Sequence, residues 1–160
     1  MLGLRGETPG RSVRCMRISV SLDIPFDQHT VWDELEQLEQ HVTWMAEAEW
    51  LTFSGEQRRG IGTEIAVATR VGPFRTRDHI RFSQWRAPAI MAVDHHGVFK
   101  GQGTFTLEPI DPNATRLTLT EQIRFPWYLG ANLGGLVARP ILRRIWAGNL
   151  RRLSDRLNSR

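Results

Sequence analysis

Ile18, Val20, Leu22 and Ile24 alternate with Arg17, Ser19, Ser21 and Asp23. This period of two predicts a half-buried strand over 17–24. Pro25 ends it, and Asp27 stands where a helix N-cap belongs. Val31, Leu35, Leu38 and Val42 then recur at spacings of 4, 3 and 4, which puts one apolar stripe on a helix. Trp44 and Met45 follow in a second short helical turn. Beyond Glu49, strand-like runs alternate with turn signals. Strands are predicted over 50–54, 63–71, 75–85, 90–96, 103–110 and 115–125, with breaks at Gly55, Gly72-Pro73, Pro88, Gly97, Asp111-Pro112-Asn113 and Pro126. The turns are short, which favours an antiparallel meander. From Leu129 to Leu157, leucine, isoleucine and valine recur mostly at helical spacing, giving an amphipathic helix of about 30 residues with Pro140 inside it, where a kink is expected.

The pattern predicts an α+β fold. One or two short helices follow the first strand, and a curved seven-stranded antiparallel sheet wraps around a long C-terminal helix. A sheet with one apolar face needs cover, and only that helix is long enough to provide it. Wherever side chains leave the space between them unfilled, a ligand cavity results.

Length adds one constraint. The chain has 160 residues, 41% of them apolar, enough for one domain with a real core. Residues 1–15 read as a loose tail and 16–160 as a single domain, with Met1 and Met16 both open as the start. The tail has no apolar run of signal-peptide length, and no stretch approaches the ~18 apolar residues of a membrane span. A cytoplasmic protein is expected. The single cysteine, Cys15, excludes a disulfide framework and a multi-cysteine zinc site.

Several words of the sequence, in order, resemble the SRPBCC (START-like, helix-grip) superfamily, nearest its polyketide cyclase/dehydrase and lipid-transport branch. They are "VSLDIPFDQHTVWDELEQLEQHVTWM", with Val31-Trp32 on the helix, then "GIGTEI", "GVFKGQGTFTLEPI", "ATRLTLTEQIRFP" and "LGGLVARPILRRIWAGNLRRL". The resemblance spans about residues 16–158. It implies a deep apolar cavity under the long helix. It implies no single catalytic set, since such proteins range from lipid carriers to cyclases and aromatases.

Strand registers nominate polar groups for that cavity. Glu121 shares a face with Leu117, Leu119, Ile123 and Phe125, and a carboxylate on an apolar face must find a partner, shift its pKa or meet water. Asp78 shares a face with Ile80 and Phe82. In 90–96 the inward face is ambiguous, and Asp94 and His96 are taken as pocket candidates beside Asp78 and Glu121. Two that converge would do acid–base work on a carbonyl compound. Trp44, Trp127 and Tyr128 fall near element ends where a cavity mouth belongs, and Phe82 and Phe105 are candidate lining residues. The alternative for each is plain core packing or pairing with arginines of neighbouring strands. Adjacent histidines on a strand point to opposite faces, so His95 and His96 cannot chelate one metal, and no metal-ligand spacing occurs. Neither a metal nor a cofactor is expected.

Charge comes last, because it changes the picture only when resolved along the chain. The formal +4 divides into +6 over 129–160, +2 over 1–15 and −4 over the remainder. Arg143, Arg144, Arg151 and Arg152 form a basic side of the C-terminal helix, either a plain solvated face or a patch for an anionic partner or membrane surface. Nucleic acid is not favoured, because aromatic interleaving and a groove-reading motif are missing. Three functional readings follow. The first is a binder of a lipid-like or polyketide-like hydrophobic molecule. The second is a polyketide cyclase or dehydratase using a pocket acid–base pair. The third is an interaction module using the basic helix face.

Overall fold

A computed structural model describes residues 15–124 and 133–160. β1 (Cys15–Ile24) leads into α1 (Gln28–Leu35), a 3-10 turn (Leu38–Gln40) and α2 (His41–Trp44). Then come β2 (Ala48–Phe53), β3 (Glu64–Val71), β4 (Phe74–Arg86), β5 (Ile90–His96), β6 (Lys100–Asp111), β7 (Ala114–Arg124) and α3 (Leu133–Asn158). The strand order is β1-β7-β6-β5-β4-β3-β2, all antiparallel. This is the helix-grip architecture: six strands meander and β1 pairs beside the last of them.

The local causes are those in the sequence. The Asp27 carboxylate accepts from the His29 and Thr30 amides, capping α1. The single apolar stripe predicted from Val31 to Val42 is divided: α1 stops at Leu35 and the chain turns through Leu38–Gln40 into α2. Pro140 lies within α3, and the predicted helix start near Leu129 falls outside the described residues.

α3 packs on β1, α1 and α2. Its Trp146, Leu150, Leu153 and Leu157 join Ile18, Val20, Trp32, Leu35, Trp44, Phe82, Met91, Phe105, Leu117 and Leu119 in one core. Fully burying one such leucine contributes about 2 kcal/mol. Polar ties fix the C-terminal half of α3. Glu34 on α1 is wholly buried; it accepts from Arg156 Nε at 2.9 Å and pairs with Arg160 at 2.5 Å. Asn149 is wholly buried as well, and accepts the Ala46 amide at 3.0 Å. Arg152 Nε donates to the Trp44 carbonyl at 2.9 Å.

Candidate functional site

The core face of the sheet carries Asp78, Ile80 and Phe82 from β4 and Met91, Val93 and His95 from β5. It also carries Gly103, Phe105 and Leu107 from β6 and Leu117, Leu119 and Glu121 from β7. His95 aligns with Gly101 of β6, and Glu121 aligns with Gly103. β5 and β7 are separated by β6, hence by about 10 Å. Their side chains meet because β6 places no side chain between them. Glu121 leans over Gly103, where a Cβ would stand 2.5 Å from its Oε1, and Glu121 Oε2 comes within 3.3 Å of His95 Nε2.

A second glycine does the same for Asp78. The carboxylate occupies the space that a side chain at Gly97 would fill, and Asp78 Oδ1 accepts the Val98 amide at 2.9 Å. Glu47, in the turn before β2, approaches from the helix side. Asn149 Nδ2 reaches its two carboxylate oxygens at 2.9 and 2.8 Å. Four ionisable groups from four segments therefore share one region of an otherwise apolar face.

Their electrostatics follow from that sharing. Burial opposes a charge on His95. The adjacent Glu121 carboxylate outweighs it with help from Asp78 and Asp94, so the ring holds its proton to higher pH than a free histidine. Burial raises the Glu47 carboxyl, against the Asn149 hydrogen bonds and the Arg152 charge, with Glu121 adding repulsion. The His95 and Glu121 side chains keep 20% and 13% of their surface exposed, while the facing Nε2 and Oε2 atoms are themselves buried. Nε2 and Oε2 stand in ion-pair contact but off hydrogen-bond alignment, and neither has another partner among the described residues. Each retains unused hydrogen-bonding capacity. The pair offers a proton donor beside an acceptor, an arrangement suited to a carbonyl or hydroxyl group. No group of three His, Cys, Asp or Glu side chains among the described residues is arranged to hold a metal ion.

Residues 16–160 match the family model described as polyketide cyclase/dehydrase and lipid transport. The chain belongs to that family. In this polyketide cyclase/dehydrase-family protein, the fold is also that of solved structures at low identity. A protein from Thermus thermophilus superposes with a TM-score of 0.79 at 17% identity, covering 90% of this chain and 98% of that one. The Zhui aromatase/cyclase from Streptomyces sp. R1128 gives 0.72 at 17%, covering 91% and 94%. A START superfamily protein from Mycobacterium smegmatis gives 0.64 at 12%, covering 89% and 94%. No curated protein matches. No helix among the described residues is long and apolar enough to cross a membrane.

Within this family member, the expected pocket residues separate. Asp78 and Glu121 lie on the core face. Asp94 and His96 do not: β5 pairs with its neighbours so that Met91, Val93 and His95 face the core, leaving Asp94 to accept from Gln102 at 3.3 Å and His96 exposed. Sequence reasoning missed His95. Met91 and Val93 share its parity, but Ile90 and Ala92 on the other parity leave the inward face undecided from the pattern alone. Glu47 and Asn149 were also missed, and no local pattern marks them. Trp44 is not at a mouth: it is 1% exposed and packs on His41 at 4.7 Å and Phe105 at 6.4 Å. Its indole Nε1 has no partner among the described residues. Phe82 and Phe105 are buried in the core. Trp127 and Tyr128 lie outside the described residues.

The basic helix face is also divided. A tandem pair spans about 100° of a helix, so its two members flank different neighbours. Arg144 and Arg151 face outward, Arg143 borders β1, and Arg152 bonds to Trp44 and Asn149.

Proposed function

We propose that this protein binds a hydrophobic small molecule, lipid-like or polyketide-like, between the sheet and α3. The His95–Glu121 pair fixes the molecule's polar end. One observation carries the reading: a partly exposed acid–base pair with unused hydrogen-bonding capacity stands on an otherwise apolar face. Apolar contact supplies affinity and the pair supplies orientation. Family membership and the shared fold support the ligand class. Native mass spectrometry of gently purified protein should detect a co-purifying hydrophobic compound. Protein that is consistently empty, and that binds no panel of polyketide-like or lipid-like compounds, would overturn the reading. Glu121→Gln should weaken binding by about tenfold, the value of one hydrogen bond to a charged group.

The raised proton affinity of His95 favours a second reading, in which the pair moves a proton on the bound carbonyl compound as cyclases and dehydratases require. Here Glu121→Gln and His95→Gln abolish turnover while leaving substrate bound. Turnover of a polyketide-like substrate that is unchanged in both variants would remove the pair from catalysis.

A further inference from the structure

α3 has two chemically different halves. From Arg152 onward, in α3 and just past its end, the arginines are engaged: Arg152 with Trp44 and Asn149, Arg156 and Arg160 with Glu34. Upstream they are not. Arg139, Arg143, Arg144 and Arg151 are exposed, and none pairs with a carboxylate among the described residues. No acidic residue occurs between Glu121 and Asp155.

Arg139 and Arg143 are one turn apart, a spacing at which like charges repel. Across from them, on the edge strand β1, stands Arg17, equally without an acidic partner among the described residues. Together with Ile18 and Ser19 they line a groove of about 350 Å³ between strand and helix. Three arginines lining one groove without a carboxylate partner among the described residues concentrate positive charge that a bound anion would offset.

An outward stripe that begins in the same half adds a second observation. Val137 and Ile141, one turn apart, are 65% and 49% exposed, and Arg144 and Arg151 continue that stripe. Exposed aliphatic side chains among unpaired arginines have two complementary environments in one partner, an anionic bilayer. The aliphatics enter the acyl boundary and the arginines meet the headgroups. A soluble polyanion satisfies only the arginines.

We propose that the N-terminal half of α3, with Arg17 of β1, docks on an anionic phospholipid membrane. A lipid phosphate lies in the Arg17–Arg139–Arg143 groove, and Val137 and Ile141 are seated at the interface. The proposal stands apart from the His95–Glu121 site.

The test is co-sedimentation of the full chain with vesicles of phosphatidylcholine alone or with about one-third phosphatidylglycerol, a content that gives a negative surface potential. Binding is expected to the mixed vesicles only, and release is expected in about 1 M salt, where the screening length falls to about 3 Å. Each arginine near such a surface contributes about fivefold, so Arg139→Glu with Arg143→Glu should weaken binding by at least about 25-fold. Val137→Ser with Ile141→Ser should weaken it without changing the salt dependence. All four side chains are exposed, and a circular dichroism spectrum like the parent's checks the fold. Arg144→Glu with Arg151→Glu is an independent second variant with the same expected direction. Equal binding to both vesicle types, no binding to either, or full binding by both charge-reversed variants overturns the proposal. So does tighter binding to inorganic phosphate or a DNA duplex than to the mixed vesicles.

Discussion

His41→Phe should remove one contribution that destabilises this protein as pH falls. His41 is 6% exposed, its ring packed against Trp44 and Phe105, and its Nε2 lies 2.7 Å from the Leu35 carbonyl. Burial drives its pKa from 6.5 down to about 4, against the raising effects of that carbonyl and of Glu34 and Glu39. The folded value is below the unfolded one, so the neutral ring's contribution is fully present above the unfolded pKa. It is lost as pH falls from about 6.5 to about 4. The full shift corresponds to roughly 3 kcal/mol, of which about 2 kcal/mol is lost between about pH 7 and about pH 5. Raised pKa values at His95 and Glu47 act with the opposite sign, strongest at low pH, so the wild-type profile alone is not diagnostic. Phenylalanine keeps an aromatic ring in place and removes the titration. It leaves the Leu35 carbonyl short of a donor, a roughly constant cost of about 1–2 kcal/mol. Urea unfolding followed by tryptophan fluorescence gives both profiles. Wild-type stability minus the variant's should fall by about 2 kcal/mol from pH ~7 to pH ~5, reaching or passing zero. Parallel profiles would refute the reasoning.

Arg156→Met leaves the fully buried Glu34 with Arg160 as its remaining cation, and should cost up to about 3 kcal/mol in urea unfolding at neutral pH. A change under about 0.5 kcal/mol would mean that Arg160 alone satisfies the carboxylate. Gly103→Ala places a methyl 2.5 Å from the present position of Glu121 Oε1 and should push that carboxylate away from His95. The NMR-measured pKa of His95 should then fall relative to wild type, and an unchanged value would show that Glu121 reaches His95 by another path.

The strands were legible because a sheet with one buried face writes its register into the chain. In β1 every second residue is apolar, and in β7 Leu117, Leu119 and Ile123 keep the same period around Glu121; the two strands pair through Val20–Leu119 and Leu22–Leu117 as alternation requires. β5 was illegible for the opposite reason. Ile90 and Ala92 on one parity compete with Met91 and Val93 on the other, so the inward face rests on pairing with β4 and β6. The bulge between Phe82 and Gln84 on β4 makes that pairing harder still to anticipate. His95 was lost with that face. Glu47 and Asn149 were invisible in a different way. They are 102 residues apart in sequence, one in a turn and one on a helix, and only the docking of α3 joins them.

That docking also relates the two proposed surfaces. Asn149, Arg152, Arg156 and Arg160 fasten the second half of α3 to the α1–β2 region through buried or half-buried polar contacts. Such contacts are costly to break, because each leaves a desolvated partner behind. The first half has no equivalent among the described residues: its arginines have no carboxylate partners and two aliphatic side chains are in water. The cost of separating helix from sheet is therefore asymmetric along α3. On the proposed function the hydrophobic ligand passes between helix and sheet, and the half with fewer polar ties would be the cheaper route. That is the half proposed to face the membrane. If both proposals hold, charge reversal at Arg139 and Arg143 should slow ligand uptake from vesicles while leaving affinity for ligand free in solution unchanged. Glu121→Gln should reverse the pattern, weakening affinity while leaving vesicle binding intact.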